Sequence, residues 1–241
     1  MTVGQRPPAL VELAGISKDY RGLRPLRVER LEMLAGDRIG LVGFDLITAE
    51  VLVNLLTGAS LPDNGRVSIF GRATADVSDA ADWLSVVDRF GIVSARAMLL
   101  DALTPLQNLA MPFTLDIEPL GADVRARAEA LAAESGLPAS TWESQVGTLD
   151  SLAQMRIRFG RALALDPAIV LLEHASAGLD ATDAESFAQS VRASAVTRGT
   201  AVLSIGADEG FARAVAFRVL HWEPGTGRLQ ERRSWFRGRA G

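Results

Sequence analysis

The segment RALALDPAIVLLEHASAGLD, residues 161–180, contains the uninterrupted apolar run IVLL at residues 169–172. An apolar run of this length is typical of a strand that is buried on both faces, as the strands of parallel sheets are. Helical patterns lie on either side of this strand, at residues 149–165 and 183–197. The segment therefore predicts an α/β domain with a largely parallel sheet.

Short apolar runs and helical patterns alternate through the rest of the chain as well. Further strands are predicted at residues 10–13, 38–42, 67–70, 91–93, 201–205 and 218–222, and further helices at residues 48–57, 123–135 and 209–216. No pattern between residues 95 and 146 indicates a strand. We therefore predict that this interval is a helical insertion in an α/β core.

The composition fits one globular unit and excludes several kinds of chemistry. The chain has 241 residues, of which 48% are hydrophobic, and this is enough for a substantial core. It has no cysteine and two histidines, so disulfides, thiolate metal sites and a histidine-rich metal site are excluded. Its net charge of −4 gives no general attraction to nucleic acid, which is not expected as a partner. Among the 25 basic residues only Lys18 is a lysine, so a mechanism that needs an ammonium group depends on that position.

The sequence also bears on location. No segment approaches the roughly 20 apolar residues that a membrane-spanning helix needs. The first residues contain no apolar stretch before a small-residue cleavage site, so a secretory signal is not indicated. We therefore expect a cytoplasmic chain.

Two further segments mark strands, turns and a helix. Residues 41–58 read LVGFDLITAEVLVNLLTG, and residues 62–71 read PDNGRVSIFG. In order and spacing, these segments and residues 161–180 resemble the nucleotide-binding domain of ABC transporters, and the likeness covers about residues 9–228. The resemblance implies a P-loop NTPase-like (RecA-like) core with a mostly parallel sheet, an N-terminal antiparallel β part and an inserted helical subdomain.

The same resemblance divides the chain into parts. It implies a single domain over residues 1–228, with the core at residues 1–94 and 147–228 and the helical subdomain at residues 95–146. Residues 229–241 are rich in arginine and are predicted to form a basic C-terminal tail. This tail is either a frayed end or a basic and aromatic contact with a membrane or a partner.

Members of this family bind ATP and Mg²⁺ between two such domains, and hydrolysis drives a membrane permease. Their phosphate loop combines glycines, a lysine and a hydroxyl that holds the metal ion. Here Thr48 stands at the last glycine, Ala49 at the lysine and Glu50 at the metal hydroxyl. Glu50 is interpreted as an acidic residue that stabilises the first turn of its helix. The candidate nucleotide-binding positions in this segment are Gly43, Asp45, Thr48, Ala49, Glu50 and Val51.

The family's metal-binding strand is also altered. Its Asp and its water-polarising Glu are replaced by Glu173 and His174, which are interpreted as a structural pair. Glu50 and Glu173 are the candidate residues that could still reach a metal ion. Because consecutive strand residues point to opposite faces, Glu173 and His174 do not by themselves predict a metal site.

The positions that contact the γ-phosphate in the family differ as well. Ala95 stands at the loop glutamine, and Ala207 stands at the switch histidine. Residues 149–153 stand at the signature segment, which includes Asp150 and Ser151, and Asp150 is interpreted as a helix N-cap. Each of these positions therefore lacks the group that the resemblance would require.

Two positions keep the family residue. Tyr20 stands where the family stacks an aromatic ring on adenine, and Asp180 matches a position at the dimer interface. The substitutions elsewhere predict that the binding of ATP and Mg²⁺ is weak or lost. The leading hypothesis is a catalytically degenerate subunit at the cytoplasmic face of the inner membrane. It would dock on a membrane permease, or pair with a second cassette, in a structural or regulatory role.

Two alternatives stay open at this point. One is a divergent ATPase that binds ATP through Tyr20, backbone N–H groups and an arginine such as Arg21 or Arg24. The other is a soluble scaffold unrelated to transport. Docking is indicated by the apolar segment 97–113, which by the resemblance lines the groove for a cytoplasmic helix of the permease. Within it, residues 108–112 are similar to cassettes of lipoprotein and lipid transport systems.

Overall fold

The computed structural model of the chain describes residues 8–231. Its strands are β1 (Val11–Lys18), β2 (Leu26–Met33), β3 (Arg38–Val42), β4 (Asn64–Ile69), β5 (Arg72–Ala73), β6 (Phe90–Ser94), β7 (Ile169–Glu173), β8 (Ala201–Gly206), β9 (Arg218–Glu223) and β10 (Arg228–Gln230). Its helices are α1 (Leu46–Leu56), α2 (Ala80–Val87), α3 (Pro105–Ala110), α4 (Ala122–Glu134), α5 (Ser151–Leu163), α6 (Ala181–Arg198) and α7 (Glu209–Val215). Short 3₁₀ turns lie at Thr74–Asp76, Ala139–Thr141 and Val146–Thr148. Over the described residues, none of the helices is long and apolar enough to cross a membrane.

The strands form two sheets. One has four antiparallel strands in the order β2-β1-β4-β5, and the other has six strands in the order β10-β9-β3-β8-β7-β6. In the larger sheet, β9, β3, β8, β7 and β6 run parallel, and β10 pairs antiparallel with β9. The predicted mostly parallel sheet and the N-terminal antiparallel part are therefore confirmed.

Hydrophobic cores cover both faces of the six-stranded sheet. In β7, Val170 and Leu172 belong to a cluster with residues of α5 and α6. Ile169 and Leu171 belong to a second cluster, which includes α1 and the antiparallel sheet. All five residues of β7 are buried, as the apolar run in the sequence predicts for a strand covered on both faces.

The predicted strands and helices are present, and the largest shift of a boundary is at the end of β1, which the prediction placed at residue 13 and which lies at Lys18. Strands β2, β5 and β10 and helices α2 and α3 are absent from the sequence-based prediction. Strand β2 carries Arg27, Glu29 and Arg30 at exposed positions, and these charges interrupt its apolar pattern. Helix α2 has eight residues, fewer than the roughly 10 over which apolar periodicity separates a helix from a strand, and it buries none of them fully.

Two residues assigned to the predicted basic C-terminal tail, Leu229 and Gln230, belong to strand β10. Leu229 and Gln230 lie opposite Trp222 and His221 in the pair formed by β10 and β9. Strands pair through backbone hydrogen bonds, so the basic side chains of this region do not predict that it pairs with β9. The rest of the predicted tail, residues 232–241, lies outside the described residues.

Residues 95–146, all of them described, contain α3, α4 and a 3₁₀ turn but no strand. Asn108 of α3 is fully buried and fixes the chain that enters this region. Its side-chain amide donates to the carbonyl oxygens of Leu100 and Thr104, both at 3.1 Å. Its Oδ1 accepts from the amide of Leu100 at 2.9 Å. Asn108 therefore ties Leu100, in the segment between β6 and α3, to the start of that helix.

We predict that Asn108→Ala lowers the free energy of unfolding by about 2–3 kcal/mol, because the amide of Leu100 loses its acceptor and the carbonyl oxygens of Leu100 and Thr104 each lose one of two donors. Urea unfolding followed by circular dichroism measures this change. The control is Gln189→Ala at an exposed position of α6, which should stay within about 0.5 kcal/mol of wild type. An Asn108→Ala chain as stable as this control would contradict the assigned role of Asn108.

Candidate functional site

Most of the predicted site residues lie at one edge of the six-stranded sheet. Because β3, β8, β7 and β6 are parallel neighbours, their carboxyl ends share this edge, where ligands bind in open α/β sheets. At this edge, or in the helix that follows β3, lie Gly43, Asp45, Thr48, Ala49, Glu50, Val51, Ala95, Glu173, His174 and Ala207. Elsewhere in the fold, Tyr20 follows β1 and Asp180 precedes α6. Asp150 and Ser151 lie at the start of α5.

The turn between β3 and α1 consists of Gly43, Phe44 and Asp45. Gly43 has a φ angle of +101°, in the range that glycine adopts without strain. The amides of Gly43 and Phe44 both donate to the carbonyl oxygen of Gly206, at 3.0 and 3.3 Å. These two backbone donors are therefore paired with the end of β8.

The side chain of Asp45 caps the N-terminus of α1. Its Oδ1 accepts from the amide of Thr48 at 2.8 Å and from the hydroxyl of Thr48 at 2.7 Å. The amide of Ala49 donates to the carbonyl oxygen of Asp45 at 2.9 Å. The bonds from Thr48 hold the pKa of Asp45 below its usual value, so its carboxylate stays charged and complements the helix dipole. Thr48 and Ala49 are buried, whereas Leu46 and Ile47 are exposed.

Arg96 connects two carboxylates at the same edge. Its Nη2 lies 2.7 Å from each carboxylate oxygen of Glu173, and its Nη1 lies 2.6 Å from Oε1 of Glu50. The side chain of Glu173 is 2% exposed, while those of Arg96 and Glu50 are 51% and 43% exposed. The hydrogen bond to Glu173 and the charges of both glutamates raise the pKa of Arg96 above its usual value. This cluster is therefore a charged bridge between α1, β7 and the chain after β6.

Two interpretations made from the sequence are corrected by this geometry. Glu50 does not lie in the first turn of its helix, because α1 begins at Leu46, and its carboxylate pairs with Arg96. Glu173 does not pair with His174, because its oxygens contact Arg96. His174 follows β7 with a φ angle of +46°, so the chain turns there. Its Nε2 has no hydrogen-bond partner among the described residues.

Helices α5, α6 and α7 also begin with an aspartate N-cap. The side chains of Asp150, Asp180 and Asp208 accept from the amide three residues later, at 2.7, 2.8 and 3.0 Å. The predicted N-cap role of Asp150 is therefore confirmed, and Ser151 is the exposed first residue of α5. Ala207 directly precedes the cap of α7. At each of these helix ends a carboxylate of the chain already takes one of the free amides.

The lysine and the tyrosine lie apart from this cluster. Nζ of Lys18 lies 2.8 Å from Oδ1 of Asp63, which pairs the ammonium with a carboxylate next to β4. The ring of Tyr20 is half-buried against the core cluster that contains α1. Arg21 and Arg24, the arginines of the alternative ATP-binding hypothesis, are exposed. Over the described residues, no group of three or more His, Asp and Glu side chains could hold a metal ion.

Sequence reasoning missed Arg96. It assigned the loop glutamine to Ala95, but the residue that contacts the other site positions is the next one along the chain. A signal was present, because Glu50 and Glu173 both stand at positions that approach a metal ion in the family. Two carboxylates that meet at a sheet edge need a cation between them.

The amino-acid sequence was compared with family models and with known proteins. No family model matches the chain. It is 29% identical over 226 residues to the lipoprotein-releasing system ATP-binding protein LolD of Chromohalobacter salexigens, covering 92% of this chain and 93% of that protein. It is 30% identical over 202 residues to LolD 1 of Rhodopseudomonas palustris, covering 81% of this chain and 88% of that protein.

Solved structures share the fold. The chain is similar to the dimeric structure of MJ0796, a bacterial ABC transporter cassette, with a TM-score of 0.74, 22% identity and coverage of 93% and 100%. It is also similar to CbiO1 of Clostridium perfringens, with a TM-score of 0.76, 15% identity and coverage of 92% and 87%. The two sheets and the strand–turn–helix at Gly43 thus define an ATP-binding-cassette fold. With its relatives at about 30% identity over most of both chains, this protein belongs to the family of ABC transporter ATP-binding subunits.

We predict that Asp45→Ala lowers the free energy of unfolding by about 1 kcal/mol at neutral pH, because α1 loses its N-cap acceptor. The pKa of Asp45 is lowered in the folded state. Its charge therefore contributes stability above the unfolded-state pKa, near about 4, and this contribution is lost as the pH falls through the folded-state value. The difference in the free energy of unfolding between wild type and Asp45→Ala should therefore become smaller at acid pH.

Urea unfolding over a pH series measures this difference. Asp116→Ala, at an exposed loop position, is the matched control and should change stability little at any pH. A difference between wild type and Asp45→Ala that stays constant into the acid range would contradict the proposed contribution of the charged cap.

Proposed function

We propose that this protein is an ABC transporter subunit with little or no ATP hydrolysis, which serves a structural or regulatory role. It docks on a membrane permease, or pairs with an active cassette, at the cytoplasmic face of the membrane. The observation that carries this proposal is the capped turn of Gly43, Phe44 and Asp45. In this turn the Asp45 carboxylate lies where a bound triphosphate would need free backbone N–H groups.

A phosphate loop binds its ligand by presenting free backbone N–H groups to negative charge. In this turn the amides of Gly43 and Phe44 donate to Gly206, and the amide of Thr48 donates to Asp45. The acceptor at the helix end is itself an anion. Two like charges about 4 Å apart repel by about 4 kcal/mol at an effective dielectric constant near 20. A phosphate group would have to displace these bonds and overcome this repulsion.

The residues at the other family positions support the same proposal. Ala49, Ala95 and Ala207 have no group that could contact a phosphate, and the ammonium of Lys18 is paired with Asp63. The guanidinium of Arg96 lies between the two carboxylates that could reach a metal ion, so these residues do not fit bound Mg²⁺. Phosphoryl transfer depends on positioning and charge, and losing one stabilising donor slows such reactions by about 10²–10³.

Docking is supported by a groove at the junction of β6 and α5. The groove has a volume of about 280 Å³, and Ile92, Ala97, Pro112 and Leu165 are among the residues that line it. Ile92 and Leu165 are exposed although both are apolar. An exposed apolar groove of this kind favours contact with another protein.

Arginines of α5 hold the wall of this groove. Nε of Arg158 donates to the carbonyl oxygen of Ala97 at 2.9 Å, and Nη1 of Arg161 donates to that of Met98 at 2.7 Å. Burial lowers the pKa of both arginines. The segment after β6 is thereby fixed in place without a nucleotide, as a permanent docking surface requires.

We predict that the purified protein gives no heat of binding in a calorimetric titration with millimolar Mg-ATP and no measurable phosphate release. The reason is that its amides and its cation already have partners within the chain. The LolD protein of Chromohalobacter salexigens, assayed in parallel, controls for the assay. Micromolar affinity for ATP, or turnover that Glu173→Gln abolishes, would instead support the divergent ATPase.

We predict that Leu165→Glu reduces the membrane-bound fraction of the protein in its own cells by about tenfold, which corresponds to roughly 1.4 kcal/mol. A charge in the groove would be costly to bury against an apolar partner surface. Sedimentation of membranes followed by immunoblotting measures this fraction. Leu115→Glu is the matched control, because Leu115 is 94% exposed and does not line the groove. Equal losses for the two variants would contradict docking at this surface.

A further inference from the structure

The charged bridge at Arg96 joins three separate parts of the fold. Arg96 lies two residues after the end of β6, Glu50 lies in α1, and Glu173 is the last residue of β7. One terminal nitrogen of the guanidinium serves Glu173 and the other serves Glu50. Thus one side chain fixes the relative positions of a helix, a strand end and a connecting segment.

The charges at this place make a cation necessary. The carboxylate of Glu173 is almost fully buried, and an ionised buried carboxylate without a partner is strongly unfavourable. Glu50 adds a second negative charge beside it. Over the described residues, Arg96 is the cation recorded within ion-pair distance of either carboxylate. The positive charge that neutralises the carboxylates of Glu50 and Glu173 therefore comes from Arg96.

The positions of the two carboxylates indicate what the guanidinium of Arg96 replaces. By the family resemblance, Glu50 stands at the residue whose hydroxyl holds the metal ion, and Glu173 stands at the metal-binding aspartate. We propose that the guanidinium of Arg96 is a built-in cation that takes the place of the divalent metal ion and locks α1, β6 and β7 together without metal or nucleotide. This inference rests on the proposed function and gives it a physical mechanism.

The bridge continues toward the docking groove. After Arg96, the carbonyl oxygens of Ala97 and Met98 are held by Arg158 and Arg161 of α5. The segment after β6 is thus tied to the sheet edge at one end and to the wall of the groove at the other. Every contact in this link is made by side-chain and backbone groups of the chain itself.

Thermal unfolding of the full chain in EDTA and in MnCl₂ tests the proposal. Wild type should have the same Tm in both, because Arg96 already neutralises the two carboxylates. Arg96→Ala should lower the Tm in EDTA by about 5–10 °C, because it leaves Glu173 buried and unpaired. Mn²⁺, a cation that carboxylates bind well, should raise the Tm of this variant toward the wild-type value.

The double variant Arg96→Ala with Glu173→Gln removes the unpaired charge together with the cation. It should have a higher Tm in EDTA than Arg96→Ala alone and should respond less to Mn²⁺. If Arg96→Ala is insoluble, recovery of soluble protein in the double variant provides the same comparison. Arg72→Ala, which breaks the ion pair between Arg72 and Asp82, is the control and should not respond to Mn²⁺.

If Mn²⁺ or the Glu173→Gln substitution raises the Tm of the Arg96→Ala chain toward the wild-type value, the result supports the proposal that Arg96 is a built-in cation. The proposal is overturned if Arg96→Ala keeps the wild-type Tm, if neither change restores it, or if wild type itself is stabilised by Mn²⁺. Failure of the proposed function is detected separately, because it would appear as ATP binding or phosphate release by the wild-type protein.

Discussion

Polar groups at the carboxyl edge of a parallel sheet need partners, and in this protein the chain itself supplies them. The edge contains backbone amides after β3, the first turn of α1 and a buried carboxylate at the end of β7. The amides are taken by Gly206 and Asp45, and the carboxylate of Glu173 is taken by Arg96. These bonds pair the amides of Gly43, Phe44 and Thr48 and the buried carboxylate with groups of the chain itself. The other features of the site follow from this internal pairing.

The local sequence agrees with the paired arrangement. Asp45 is among the residues that helix N-caps favour, and Ala49 has the highest helix propensity of all residues. A glycine-rich turn would keep the amides available, whereas Leu46, Ile47 and Thr48 continue the helix up to its cap. Local preference and tertiary contacts therefore select the same conformation, as expected where a sequence is consistent with its fold.

Much of the fold could be predicted from the sequence, because its parallel strands are apolar runs buried on both faces. The strand at residues 169–172 and the helix cap at Asp150 depend on local patterns, and both are present. The early start of α1 could not be predicted by aligning residues with family motifs, since motif positions do not report the conformation between them. The bridge of Arg96 could not be predicted either. Arg96 is separated along the chain from Glu50 by 46 residues and from Glu173 by 77 residues, and these side chains meet only after folding.

The choice of an arginine for this bridge has a physical reason beyond stability. Replacing a buried ion pair with apolar residues is often neutral or stabilising, so stability alone does not explain the pairing of Arg96 with Glu173. An apolar pair, however, could not extend to the half-exposed carboxylate of Glu50. A guanidinium has separate terminal nitrogens, and here one contacts the buried glutamate while the other contacts the glutamate nearer to solvent. An ammonium carries its three donors on one nitrogen, so both carboxylates would have to approach the same atom. The geometry of arginine, with its two terminal nitrogens apart, therefore suits the join between a buried strand end and a solvent-facing helix.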